Sequence, residues 1–201
     1  MAGSREEKRE RVLKAARELI ERFGFRKLTL EDVAQESGLA ISSLYYYFKS
    51  KSDLLRAVAE SEIAETLADI EKAAAAVPDP AERLNVVGLT LLRRMRKISR
   101  IPGISHSERI TMFPELEPEI RKFKERFRNI IRSVIEEGNS QGVFEVDEPE
   151  LLSHLISAGI RGLAETILDD DFPEEVLKGM ERLSCLMVLG LKKRSENNGR
   201  S

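Results

Sequence analysis

Three tyrosines stand side by side at positions 45–47, just after Ser42 and Ser43, and they are all the tyrosines the chain has. Phenolic and seryl hydroxyls donate to phosphate oxygens, while tyrosine rings lie along a sugar–phosphate backbone or against thymine methyl groups. If this stretch is helical, a turn of about 100° per residue gathers Ser42, Tyr45 and Tyr46 away from the side that carries Leu44 and Phe48. Those two apolar residues are enough to anchor it, and three adjacent phenols are hard to bury because each O–H needs a partner. Tyr47 is as well suited to packing at a domain junction. Other chemistry is thinly supplied. One cysteine, Cys185, and two histidines, His106 and His154, provide neither a disulfide framework, a structural zinc set nor paired di-iron motifs. Glu150 and His154 share a helix face, but nothing completes a metal site, so neither a metal nor a cofactor is expected. The chain also lacks a Gly-rich phosphate loop, a nucleophile elbow and any Cys/His pair, the features that a helical-bundle enzyme would be read from.

What must position the hydroxyls is a helical protein. The 201 residues are 41% hydrophobic and 34% charged, sufficient for a buried core in one or two domains. The formal net charge of −2 rules out attraction to nucleic acid or membrane by bulk charge. Residues 1–50 hold 10 basic and 8 acidic side chains and the remainder 23 and 27, a modest asymmetry in favour of the N-terminal part. No apolar run approaches the roughly 18–20 residues of a membrane span, and Met1–Glu10 is charged where a leader would turn hydrophobic. No membrane partner and a cytoplasmic location are therefore expected. Long apolar–polar alternation is absent, so the fold class is all-α.

The spacing predicts about nine helices. The first runs from Arg5 to Phe23, stopped by Gly24. Thr29 caps the second, with Asp32 as the partner of a capping box, and Gly38 ends it. A short third helix resumes after Leu39 and continues through Phe48. Ser50 and Asp53 cap a long fourth helix. Pro80 opens a fifth with Leu84, Val87, Leu91, Met95 and Ile98 on one face. A short segment from Ile104 to Phe113 follows, then a long amphipathic helix opened near Pro118 and ending around Gly138 and Gly142. Two final helices, Pro149 to about Leu168 and Pro173 to about Lys193, are apolar or small on more than one face and so need more than one partner.

The stretch from Thr29 to Leu55 resembles the DNA-binding signature of the TetR family of bacterial transcriptional repressors. Thr29, Ala34, Gly38, Leu44, Tyr45, Tyr47, Phe48, Lys51 and Leu54 all fall at the family's spacing. The resemblance implies a three-helix helix-turn-helix DNA-binding domain at 1–50 and a helical ligand-binding and dimerisation domain at 51–201. It implies that Thr29, Lys51, Tyr45 and Tyr47 hold phosphates, and that Ile41, Ser42, Ser43 and Tyr46 read bases or their methyl groups. Two residues depart from the family pattern. Ala40 stands where serine is usual, which removes a side-chain cap worth about 0.5–2 kcal/mol. Ile41 stands where a polar reader is common, and either packs with Leu44 and Phe48 or meets a thymine methyl. Arg5, Lys8 and Arg9 form either an arm toward the DNA or a solvated first turn.

The resemblance further implies a homodimeric repressor on a palindromic, double-stranded operator, released by a small, largely apolar effector. Candidate walls for the effector are Leu67, Val87, Leu91, Met95, Ile110, Met112, Phe113, Phe123, Phe127 and Ile130, although periodicity alone does not separate cavity wall from core. Candidate dimer contacts are Leu155, Gly159, Gly162, Leu163, Met180, Leu183 and Met187 on the last two helices. The basic run Arg93, Arg94, Arg96, Lys97 and Arg100 reads either as a solvated helix end or as a seat for an anionic ligand group. Ala40 and Ile41 are the features that favour an adaptor that has kept the fold without binding DNA. An enzyme is the remaining alternative.

Overall fold

The protein is represented by a computed structural model that describes residues 5–100 and 116–167, with positions 178, 179, 182, 183, 186, 190 and 191 of a last helical stretch. Every regular element among the described residues is helical: α1 (Arg5–Phe23), α2 (Leu30–Ser37), α3 (Ile41–Tyr47), α4 (Lys51–Ala75), α5 (Pro80–Ser99), α6 (Glu117–Ser140) and α7 (Pro149–Ile167). Of the nine expected helices, the segment at 104–113 lies outside the described residues. The last is represented only by the seven isolated positions, all helical.

The helices start and stop where side-chain chemistry dictates. Thr29 Oγ1 accepts from the Asp32 amide at 3.1 Å and opens α2, and Gly38, at φ 66°, closes it in the left-handed conformation. Arg11 of α1 reaches across to the Ser37 carbonyl at 2.9 Å, so the end of α2 is satisfied from its neighbour. At α4 the capping is reciprocal: Ser50 Oγ accepts from the Asp53 amide, and Asp53 Oδ2 accepts from the Lys49 amide, both at 3.1 Å. Asp79 caps α5 ahead of Pro80, whose missing N–H costs nothing there. Helices α3, behind Ala40, and α6, behind Leu116, start without a side-chain cap, because neither residue has a polar side chain to offer.

Two hydrophobic clusters result. The head cluster joins Val12, Leu13, Ala16 and Leu19 of α1 with Val33 and Ala34 of α2, Leu44 and Phe48 around α3, and Leu54, Leu55, Ala57 and Val58 of α4. The body cluster joins Ile70 and Ala74 at the other end of α4 with α5, α6 and α7 through Val87, Leu91, Phe127, Ile131, Ile135 and Ile156. The head core thus extends along α4 to Val58, past the expected boundary at residue 50. The α6–α7 corner is held by Phe144, whose ring lies against the backbone of Gly138. A Cβ built there would meet Phe144 Cδ2 at 2.1 Å.

Gly138→Ala therefore forces the Phe144 ring out of its seat and is expected to cost about 1–3 kcal/mol in a urea melt; an unchanged midpoint would contradict the contact. Ala40→Ser supplies the missing cap on α3 and should raise stability by about 0.5–1 kcal/mol in the same measurement.

Candidate nucleic-acid interface

Helix α3 is two turns long, below the length at which a helix holds itself in water, so the head must impose it. Leu44 is fully buried and Phe48 nearly so, and these two fix its roll. The opposite face is outside: Tyr45 is 48% exposed, Tyr46 66% and Ile41 37%, with Ser42 and Ser43 exposed beside them. Ile41 therefore does not join Leu44 and Phe48 in the core. Tyr47 is half-buried against the head cluster, its ring meeting that of Tyr46 edge-on at 5.3 Å. The side chains of α1 reach this face as well. The guanidinium of Arg5 sits 5.3 Å from the Tyr46 ring centroid, and that of Arg9 lies 5.8 Å from Phe48. These two arginines bring positive charge to α3, which has no basic residue of its own.

Two of the four expected phosphate anchors, Thr29 and Lys51, are already engaged in internal bonds. Thr29 accepts the Asp32 amide and donates its own O–H to Asp32 Oδ2 at 2.6 Å. Holding a phosphate requires that proton to turn from one anion to another. Lys51 donates from Nζ to the Arg26 carbonyl at 3.0 Å, which ties the start of α4 to the turn before α2. The ammonium has two further protons for a phosphate. Behind it, burial pulls the Asp53 carboxyl upward, but hydrogen bonds from Arg56 and the Lys49 amide, with the charges of both residues, outweigh it and hold its pKa below the ordinary value. Asp53 thus stays ionised as a cap.

Away from the head, the candidate ligand residues divide. Leu67, Val87, Leu91 and Phe127 are buried at 6% exposure or less. Met95, Phe123 and Ile130 are partly buried against the body cluster, with Phe123 stacked on Phe127 at 5.9 Å. Of these seven only Ile130 lines a described cavity, an open one between α4, α5 and α6. Ile110, Met112 and Phe113 lie outside the described residues, as do Met180 and Met187 among the candidate dimer contacts. Leu155, Gly159, Gly162 and Leu183 are exposed, whereas Leu163 is half-buried against the body. Glu150 faces arginine rather than forming a ligand pair with His154. The hydrogen bond from Arg132, at 2.7 Å, holds its carboxyl below the usual carboxylate range.

Sequence spacing did not reveal the lattice of charges that fastens head to body. Arg17 of α1 meets Glu65 at 2.6 Å and Glu62 at 3.6 Å. Arg94 of α5 meets the same two acids at 3.7 Å and Asp69 at 3.4 Å. Lys97 reaches back to Glu21 of α1 at 2.8 Å. Of the basic run, Arg94 is thus held inside the fold by α4 acids, and Lys97 pairs with Glu21 while remaining largely in solvent. Acids at 62, 65 and 69 of α4, three and four apart, were the signal in the sequence.

Two family models match the chain: "Bacterial regulatory proteins, tetR family" over residues 12–58, and "Tetracyclin repressor-like, C-terminal domain" over residues 77–165. The first coincides with the head cluster and the second with the body. The uncharacterised HTH-type regulator YfiR of Bacillus subtilis is 35% identical over 63 residues, 31% of each chain. The HTH-type transcriptional repressor KstR of Mycolicibacterium smegmatis is 32% identical over 91 residues, 45% of each chain. Both matches thus span less than half the length of these relatives. Over nearly the whole length, a TetR-family regulator structure from Pectobacterium atrosepticum superimposes with a TM-score of 0.76 at 21% identity, covering 96% of this chain and 100% of that one. Proteins of this kind are DNA-binding transcription factors rather than enzymes. With both halves matched and the fold in common, the chain belongs to the TetR family of bacterial transcriptional regulators.

Proposed function

We propose that the protein is a cytoplasmic, homodimeric repressor that holds a palindromic operator through α3 and is released by a small, largely apolar effector. The observation that carries this reading is the outward face of α3. Its only buried anchor is Leu44, with Phe48 just beyond it, while Ile41, Ser42, Ser43, Tyr45 and Tyr46 stay exposed, Tyr46 even with Arg5 and Tyr47 against its ring. Tyr45, Tyr47, Thr29 and Lys51 position the head by phosphate contacts. Ser42, Ser43 and Tyr46 read base edges, and Ile41, being exposed, meets a thymine methyl.

Pairing through the last two helices is supported by what α7 leaves uncovered. Leu151 and Leu155 are 52% and 58% exposed one turn apart, and Leu183 and Leu186 of the final stretch are exposed too. Among the described residues, a Cβ at Gly159 would meet nothing within 4 Å, which leaves room for a second copy to approach closely there. Two heads fixed in this way meet successive major grooves about 34–36 Å apart.

A gel-shift series at rising salt, on DNA flanking the protein's own gene, tests the reading. Sequence-specific retention that weakens with salt is expected, and retention of all DNA alike would sink it. Lys51→Ala should weaken binding to every operator variant by a similar factor and lower the salt slope by about 1, whereas changes at Ser42, Ser43 or Tyr46 should reorder preference among variants. If both groups behave alike, the division between positioning and reading residues is wrong. Separately, Gly159→Glu or Leu183→Glu is expected to give monomers by light scattering; dimers of undiminished affinity would place the interface elsewhere.

A further inference from the structure

Where head meets body, a cavity of about 210 Å³ opens between α1, α4 and α5. Its walls are Ile20 and Phe25 from the head, Val58 and Ile63 from α4, and Ile98 and Leu116 from the body. None of the seven described ligand residues expected from the sequence is among its lining residues. An apolar cavity of about 150 Å³ already accommodates benzene, so this one has room for a single substituted ring or a short branched chain. Charges stand at its rim, but they are spent: Lys97 is paired with Glu21, and Arg17 with Glu65. A charged guest would have to displace one of these partners, which favours a neutral one. Nε of Arg17 offers the guest nothing either: it is buried away from the cavity, with its ion-pair partner Glu62 at 3.6 Å.

We propose that this junction cavity binds a small neutral apolar molecule, one ring or short chain, and that filling it weakens DNA binding. The proposal rests on the repressor reading and names the site of its effector. Its walls come from head and body, so a guest that needs more room parts α1 from α5 across the Lys97–Glu21 pair and tilts the head against the body. Ligand and operator then prefer different arrangements, and each lowers the affinity of the other by the same factor.

Ethylbenzene and benzoate form a pair of probes of similar size, one neutral and one charged. In the full-length protein with labelled methyl groups, ethylbenzene should give intermolecular NOEs to Ile20, Val58 and Ile63 and bind more tightly than benzoate. Saturating ethylbenzene should raise the operator Kd about tenfold. Ala59→Phe, which adds a ring to the cavity wall, should abolish the NOEs; if that variant does not fold, the wild-type NOEs decide. NOEs to other methyls, none at all, or occupation of the cavity without any change in operator Kd each overturn the proposal. If the protein shifts no DNA even without probe, the repressor reading fails instead, and the NOE arm still tells whether the cavity binds.

Discussion

Helix α4 is a single hydrogen-bonded rod of 25 residues, about 37 Å long, and it has to be a core helix twice. Its first two turns are buried in the head with Leu54, Leu55 and Val58, and its last two in the body with Ile70 and Ala74. Between them, from Ala59 to Glu65, no residue is fully buried, and ion pairs take over from apolar packing. A helix interior does not bend without a break in its ladder, so the head cannot drift freely with respect to the body. It can only tilt, and the charges of Arg17, Arg94 and Lys97 decide where it rests.

Ion pairs are suited to that task in a way that an apolar seam is not. Each is partly exposed and individually weak, so the resting tilt is defined by several small terms rather than by one deep packing minimum. A hydrophobic seam of the same extent would lock the angle. Arg94 shows the sharing most clearly, since its guanidinium lies within ion-pair distance of Glu62, Glu65 and Asp69 at 3.4–3.7 Å, none of them a close hydrogen bond. Such an arrangement tolerates small displacements without losing its charge balance.

The chain's own residues display most of the head and little of the body's interior. Thr29, Gly38, Ser50 and Asp53 act through local backbone chemistry, and their effect is visible in a few consecutive residues. The exposed turn of α3 is legible for the same reason, because only Leu44 and Phe48 can be its inside. By contrast, Leu54, Ile63 and Ile70 of α4 belong to one periodic set in the sequence and divide among three environments in the fold: head core, junction cavity and body. Val87 and Phe127 carry the same spacing whether they line a cavity or fill one; the structure fills it. The charge lattice is also non-local, joining residues 17, 62, 65 and 94, and no window of the sequence contains all four.

The bare start of α3 connects these observations. A helix of two turns without an N-cap owes its form to the head cluster and to whatever covers its outer face. Side-chain bonds at Thr29 and Lys51 fix the starts of the neighbouring helices, α2 and α4, whereas the first turn of α3 has only the Ser43 and Leu44 amides donating to the Ala40 carbonyl. That turn carries Ile41, Ser42 and Ser43, the side chains whose aim matters most if bases are read. Loose capping there costs little while the face is solvated, and it lets the turn adjust when a duplex supplies the missing partners. Orientation of the whole head is then set at the junction, and orientation of the reading side chains at the contact itself.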